Sequence, residues 1–298
     1  PPLTMEEAAE RLETLTIESI RQMQKIREFA CPLTAGKDSR LTYGLFRKIN
    51  PDQEAFTLCR NNGDFLKTQD AILPPKICEA LGCRHTLIPH ERAPEEYQAL
   101  CRRILNDDFM PRQVDWPYMF KKQYPGKAIY GSGIFDCVGK ICFIGRELPS
   151  WFATTIFVSS RCDFFNAVGR RYVSEWLREN RKDPTNLSLF DLYTWEWRCG
   201  RWMPRHPIVF AALSVEYISM YNSREILLTM MRTSRPWRSR AKLHEKMFER
   251  LGEVYTAIPF NPKSGFKKLL NAMKRPTIYH LIAMYVRYPV YLIKRRGW

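Results

Sequence analysis

Histidine and paired cysteine are what this sequence has least of. Five histidines in 298 residues lie far from any ligand-like spacing, and nine cysteines form an odd set without a CxxC pair. A disulfide scaffold is thereby excluded, a structural zinc site is argued against, and the usage is that of a reducing cytoplasm. Long apolar runs are missing too. The two most apolar stretches, 206–221 and 277–293, are broken by Glu216 and by His280 and Arg287, well short of the ~20 uninterrupted apolar residues of a spanning helix. No signal peptide is visible, and the opening Pro1-Pro2 admits a processed or truncated start. With 45% apolar and 26% charged residues, the chain is too apolar for disorder and too long for one minimal core. One large domain or two unequal ones are expected.

Acidic residues are scarce in the last quarter. From Asn222 to Trp298 stand 17 Lys and Arg against 4 Glu and no Asp, a net +13 of the whole chain's +16. Such a field draws nucleic acid, an anionic membrane or a polyphosphate ligand, while a solvated helical face has the same composition. Tyr279, Tyr285, Tyr288, Tyr291 and Trp298 interleave with basic residues at the end, which suits a membrane-adjacent amphipathic segment as well as RNA. Charge alone does not choose.

Thr4 followed by Glu7 reads as a capping box, and Ala8, Leu12, Leu15, Ile20 and Met23 then recur near helical spacing, so the chain opens on a helix. A short apolar run at Ala30–Leu33, a small polar turn at Thr34–Ser39 and a helical pattern from Arg40 to Ile49 follow. That order is strand, tight turn, helix. It recurs as strand Ala55–Cys59, helix Thr68–Leu81, strand His85–Ile88, helix Pro94–Leu105 and strand Lys127–Tyr130. The fold class expected is therefore α/β, a parallel sheet flanked by helices. After Gly145 the strand signal fades, and helices are expected over 163–178, 188–201, 223–231, 243–251 and 263–273. The domain plan is an N-terminal helix over 1–29, an α/β core over 30–147 and a largely helical part over 148–298 with a basic tail.

The turn Thr34–Ser39 ends a strand and opens a helix, which gathers unpaired backbone N–H groups and a positive dipole end at one point. Phosphate binds at such points. Gly36 adopts backbone angles closed to other residues, Thr34 and Ser39 offer hydroxyls, Lys37 adds charge and Asp38 can hold Mg²⁺. The Walker signature GxxxxGK[ST] is absent. An ordinary turn is the plain alternative.

These six residues, TAGKDS, resemble the SGGxDS signature of the PP-loop ATP pyrophosphatases, departing at Thr34 and Ala35 and keeping Gly36, Asp38 and Ser39. Asp70-Ala71 leading through Ile77 and Ala80-Leu81-Gly82 to His85 resembles a segment of the asparagine-synthetase branch. Gly131-Ser132-Gly133-Ile134-Phe135-Asp136 is similar to its GxGxDE loop, with Phe135 where that branch has an aspartate. Stretches at 191–202, 221–224 and 258–262 look like divergent bacterial members, often found with surface-polysaccharide or peptide-tailoring genes. The resemblance runs from about residue 30 to 262. It implies a synthetase domain with the adenine-nucleotide alpha-hydrolase-like fold, using ATP and Mg²⁺ to activate a carboxylate as an acyl-adenylate, with pyrophosphate released and an amine capturing the acyl group.

By the same resemblance Thr34, Ala35, Gly36, Lys37, Asp38 and Ser39 hold the phosphates. Adenine lies against Leu58 and Cys59 and the turn Gly131, Ser132 and Gly133. Asp38 and Asp136 are the metal ligands, Asp136 also handles the incoming amine, and Lys242, with Arg240 as its rival, stands over the pyrophosphate. Asp136 as a plain helix cap is the structural alternative. The implied partners are ATP, a small-molecule, glycan or peptide carboxylate, and an amine or ammonia donor, which a separate glutaminase could supply because Pro1 is no nucleophilic cysteine. The place expected is the cytoplasm, or peripherally the inner face of an anionic membrane, with nucleic acid disfavoured. Two other readings stay open: a PP-loop RNA-modifying enzyme adenylating a nucleobase carbonyl, and a non-catalytic nucleotide-binding protein.

Some residues invite sharper readings. At α-helical spacing Asp191, Trp195, Arg198 and Trp202 share a face, lining a cleft or simply packing, with Glu196 on another face. Cys31 and Cys137 flank the candidate loops and, with no histidine or basic run beside them, read as small core residues. His85 reads as a strand-end packing residue and His206 as a turn residue.

Overall fold

The computed structural model describes residues 2–60, 64–106, 111–135, 138, 167–180, 192 and 195–261. Two compact units divide the chain, one of Pro1–Ile141 with Trp195–Pro262 and the other of Cys142–Thr194 with Lys263–Trp298. Of the second unit the described part is essentially one helix, Ala167–Asn180. Everything below concerns the first.

The first unit is a three-layer α/β/α sandwich on a five-stranded, all-parallel sheet. Its strands are β1 (Phe29–Pro32), β2 (Ala55–Leu58), β3 (His85–Ile88), β4 (Ala128–Gly131) and β5 (Tyr217–Ser219), in the spatial order β3-β2-β1-β4-β5. β1 is central and reads as an unbroken apolar run because both of its faces are covered. Its odd residues Phe29 and Cys31 join one core, shared with Tyr130, Phe46, Leu41 and Leu12. Ala30 joins the other, with Phe56, Ile129, Met119 and Phe120. The side-chain period of two thus sorts one strand between two helical layers.

α1 (Met5–Gln24) begins at Thr4, whose hydroxyl accepts the Glu7 N–H while the Glu7 carboxylate accepts the Thr4 N–H at 2.8 Å. Its buried face of Ala8, Ala9, Leu12, Thr16 and Ile20 packs on α2 (Lys37–Ile49) and on the helices Arg224–Met231 and Lys242–Leu251. α3 (Gln69–Ala80), α4 (Glu95–Leu105) and α5 (Pro111–Gln123) complete the part before β4. α2 starts three residues earlier than its apolar periodicity indicates, because Gly36 is its N-cap. No helix among the described residues is long and apolar enough to cross a membrane.

From β1 the chain winds outward through β2 and β3, then returns to lay β4 on the opposite side of β1. The order reverses there, and in open parallel sheets ligands bind outside the carboxyl ends of the strands at that reversal. The loops leaving β1 and β4 are Thr34–Ser39 and Ser132–Gly133.

Candidate phosphate-binding site at the strand switch point

Three distant parts of the chain fasten the loop Thr34–Ser39. Within it, Ser39 Oγ lies 2.7 Å from Thr34 Oγ1 and accepts the Thr34 N–H at 3.1 Å, while Thr34 Oγ1 accepts the Gly36 N–H at 3.3 Å. The Ala35 N–H donates to Asp70 Oδ1 at 3.0 Å, and Arg60, at the end of β2, holds the other Asp70 oxygen at 3.5 Å. From the far end of the described chain, Asn261 N–H donates to the Ala35 carbonyl at 3.3 Å. No side chain caps α2. Its first turn therefore presents the dipole end that favours an anion.

Beneath the loop lies Arg40, with no exposed surface. Its guanidinium donates to the carbonyls of Tyr255 at 3.1 Å, Ile258 at 2.5 Å, and Ala35 and Pro259 at 3.4 Å, and lies 4.2 Å from the Phe260 ring centroid. Lys37 Nζ lies over the same ring at 5.4 Å. Burial pulls Arg40 down to about 10, so it stays a cation at neutral pH.

Asp38, at the start of α2, meets His244 Nε2 at 2.7 Å. The His244 side chain is 1% exposed against 28% for Asp38, so the pair runs from the core to the rim of the loop. Phe135 packs edge-on against His244 at 4.5 Å and against Tyr221 at 5.0 Å. The Phe135 departure from the synthetase pattern thus forms the wall behind the Asp38 pair. Tyr221 holds a left-handed φ of 67° and brings its hydroxyl 2.8 Å from Thr42 Oγ1, which donates to the Asp38 carbonyl.

On the β4 side, Gly131 is small out of need, while Gly133 faces the flexible tip of Met203. A Cβ on Gly131 would stand 1.7 Å from the Tyr217 hydroxyl, and one on Gly133 2.6 Å from Met203 Cε. Leu58 and Cys59 close the β2 side, with Cys59 buried and its thiol raised by desolvation. Asp136 and Cys137 lie outside the described residues.

No family model and no curated protein matches the chain. Among solved structures, the NMN synthetase from Francisella tularensis is similar at 15% identity, over 83% of this chain and 97% of that one, with a TM-score of 0.28. A superposition that loose says nothing of what this chain binds.

Of the expected site residues, the sheet brings the loops 34–39 and 131–133 to one end. Lys242 and Arg240 are exposed, and Lys242 is paired with Glu245 at 2.5 Å. The residue of that helix that reaches the loop is His244. Its signal in the sequence is a histidine on the apolar stripe of Leu243, Met247 and Phe248. Asp70 is the second residue that sequence reading passed over, since its letter matched a pattern without a role attached. Trp195–Trp202 is wound as a π-helix, so the α-helical spacing behind the expected face of Asp191, Trp195, Arg198 and Trp202 does not hold there, and Asp191 lies outside the described residues. Cys31 is fully buried and desolvation pushes its thiol up, as a core residue's would be.

Magnesium takes one or two carboxylates from a protein and its remaining ligands from phosphate and water. Asp38, partly exposed beside an uncapped helix start, is a donor of that type. Among the described residues no group of three His, Cys, Asp or Glu stands together as a metal cage. The residues present fit a nucleotide-borne metal.

Proposed function

We propose that this chain is an ATP-dependent, amide-forming ligase of the asparagine-synthetase type, splitting ATP to AMP and pyrophosphate. The observation that carries the reading is the loop TAGKDS, seated at the carboxyl end of the central strand where the strand order reverses. A substrate carboxylate oxygen attacks the α-phosphorus and pyrophosphate leaves. An amine then attacks the acyl carbon and AMP departs. The N–H groups of the uncapped first turn of α2, with Lys37 and Ser39, neutralise the β- and γ-phosphates, Asp38 would hold Mg²⁺, which would supply further positive charge there, and His244 fixes the Asp38 carboxylate. Adenine sits between Leu58–Cys59 and Gly131–Gly133, Asp136 handles the amine, and Lys242 or Arg240 turns toward the departing pyrophosphate.

ATP–pyrophosphate exchange with a panel of carboxylic acids tests the reading. Exchange dependent on one acid and lost in a folded Asp38→Asn variant supports it, since that change removes a metal ligand from a rim position and leaves the core alone. ADP and phosphate as sole products would overturn it.

A further inference from the structure

We propose that Cys83 and Cys78 form a thiol pair that a hydroperoxide oxidises to a disulfide, with Cys83 the attacking sulfur and Cys78 the resolving one. The pair lies at the far end of α3 from the loop and belongs to no part of the site above.

The end of α3 builds it. Gly82, at φ +65°, is the left-handed residue that follows the helix. The Cys83 N–H donates to the Cys78 carbonyl at 2.9 Å and the Gly82 N–H to that of Glu79 at 3.0 Å. These two bonds define a Schellman turn, in which the residue after the glycine folds back over the residue five before it and their side chains touch. Here both side chains are thiols. Cys78 is 1% exposed and Cys83 is half-buried, so one sulfur meets solvent and the other waits beneath it.

Three further side chains face Cys83. Tyr43 Oη stands 3.0 Å from Cys83 Sγ but donates to the Gln53 carbonyl at 2.6 Å, so its proton is committed elsewhere. Arg47, one turn further along α2, donates Nη2 to the Leu81 carbonyl at 3.0 Å, while its Nη1 is buried with no hydrogen-bond partner. Tyr255, on the helix Val254–Ala257, is raised chiefly by burial, with the two thiols as minor neighbours. Cys83 Sγ also reaches the Cys78 carbonyl at 3.5 Å, and the Cys78 thiol beside it holds the Cys83 pKa down, with the Arg47 charge assisting. Cys78 is raised by the same contact and by its burial. A thiolate beside a cation is the nucleophilic form of cysteine.

The chemistry balances with one molecule of hydrogen peroxide. The Cys83 thiolate attacks the peroxide oxygen, the O–O bond breaks, and hydroxide leaves with the electron pair, giving the sulfenic acid. Cys78 sulfur then attacks Cys83 sulfur, the S–OH bond breaks, and water leaves with the Cys78 proton. Two thiols have been oxidised and one peroxide reduced to two waters. A dithiol reductant reverses the change.

Tryptic cleavage after Lys76 and Arg84 puts both cysteines in one peptide, Ile77–Arg84, which makes the test direct. The whole native protein is exposed to hydrogen peroxide, unfolded, alkylated and digested. The expected peptide is unalkylated, two hydrogens lighter, and restored by reduction. In untreated native protein, Cys83 alkylation should titrate with a midpoint on the order of one pH unit or more below its value in the urea-unfolded chain. Arg47→Gln should return the midpoint toward the unfolded value, and Cys78→Ser should leave Cys83 trapped by dimedone as the sulfenic acid. A doubly alkylated peptide after peroxide, or a midpoint equal to that of the unfolded chain, would overturn the proposal. Both decisive readings use the unmodified sequence, so they hold even if a variant fails to fold.

Discussion

Replacing Arg40 by methionine should cost far more than a change of one surface charge. The side chain is fully buried and its two short bonds run to the carbonyls of Tyr255 and Ile258. Bonds from a charged donor are worth about 1.5–3 kcal/mol each, and a desolvated cation over an aromatic ring adds about 2 kcal/mol. Methionine keeps the volume and returns about 1.5–3 kcal/mol through apolar burial. The net loss expected is about 3–5 kcal/mol, similar to that of breaking a buried charged contact from one side. Urea unfolding followed by tryptophan fluorescence reads it as a lower midpoint at unchanged slope. Limited proteolysis reads the same event locally, because residues 255–261 lose the group that gathers their carbonyls. Arg40→Lys should recover less than half, since one ammonium cannot span carbonyls from both segments. A loss under about 1 kcal/mol with 255–261 as protected as before would refute the clamp.

Gly131→Ala should destabilise the sheet by about 1–3 kcal/mol through overpacking, and Tyr217→Phe should relieve it only in part, because Tyr217 Cζ would still stand 2.5 Å from the new Cβ; equal stability of Gly131→Ala and the parent, read by thermal unfolding, contradicts this. His85 is held neutral by desolvation, its pKa lowered from 6.5 to about 4. Below about pH 6.5 the unfolded chain takes up a proton that the folded one refuses, so stability falls as the pH drops from there toward 4. His85→Gln should flatten that acid limb in urea titrations, and an unchanged limb would assign it to other groups. His244→Phe keeps the packing on Phe135 and withdraws the hydrogen bond from Asp38, so exchange activity should drop roughly 10- to 100-fold with a raised Mg²⁺ requirement; full activity at low Mg²⁺ would separate His244 from the site.

Where local chemistry decides an element, sequence alone was enough to see it. Thr4 with Glu7 marks α1, and the apolar runs mark β1 to β4 to within a residue or two. α5 was not anticipated, since it begins at Pro111 and carries Pro117 inside, and proline argues against a helix interior. β5 was missed because three residues are too few for a period, and tertiary pairing with β4 makes Tyr217–Ser219 a strand. The loop Thr34–Ser39 is legible as a turn between strand and helix because its residues are neighbours in sequence. Its fasteners are not, because Asp70, His244 and Asn261 meet it across 35, 206 and 226 residues of chain. The thiol pair escaped notice for a different reason: a spacing of five is no motif until a left-handed glycine folds one end back.

The wide separation of those fasteners sets an order of events during synthesis. The letters of the loop are all in place once Ser39 has been made, yet Asn261 and the Tyr255, Ile258 and Pro259 carbonyls that Arg40 binds come more than two hundred residues later. At about 5–20 residues per second that interval is on the order of ten to forty seconds. For part of it, from Gly131 to Tyr217, β4 also waits for β5, leaving a strand edge open. A nascent chain can therefore gather β1 to β4 early while the loop's shape stays unfinished, and its last fastener arrives only when the polypeptide has passed residue 261.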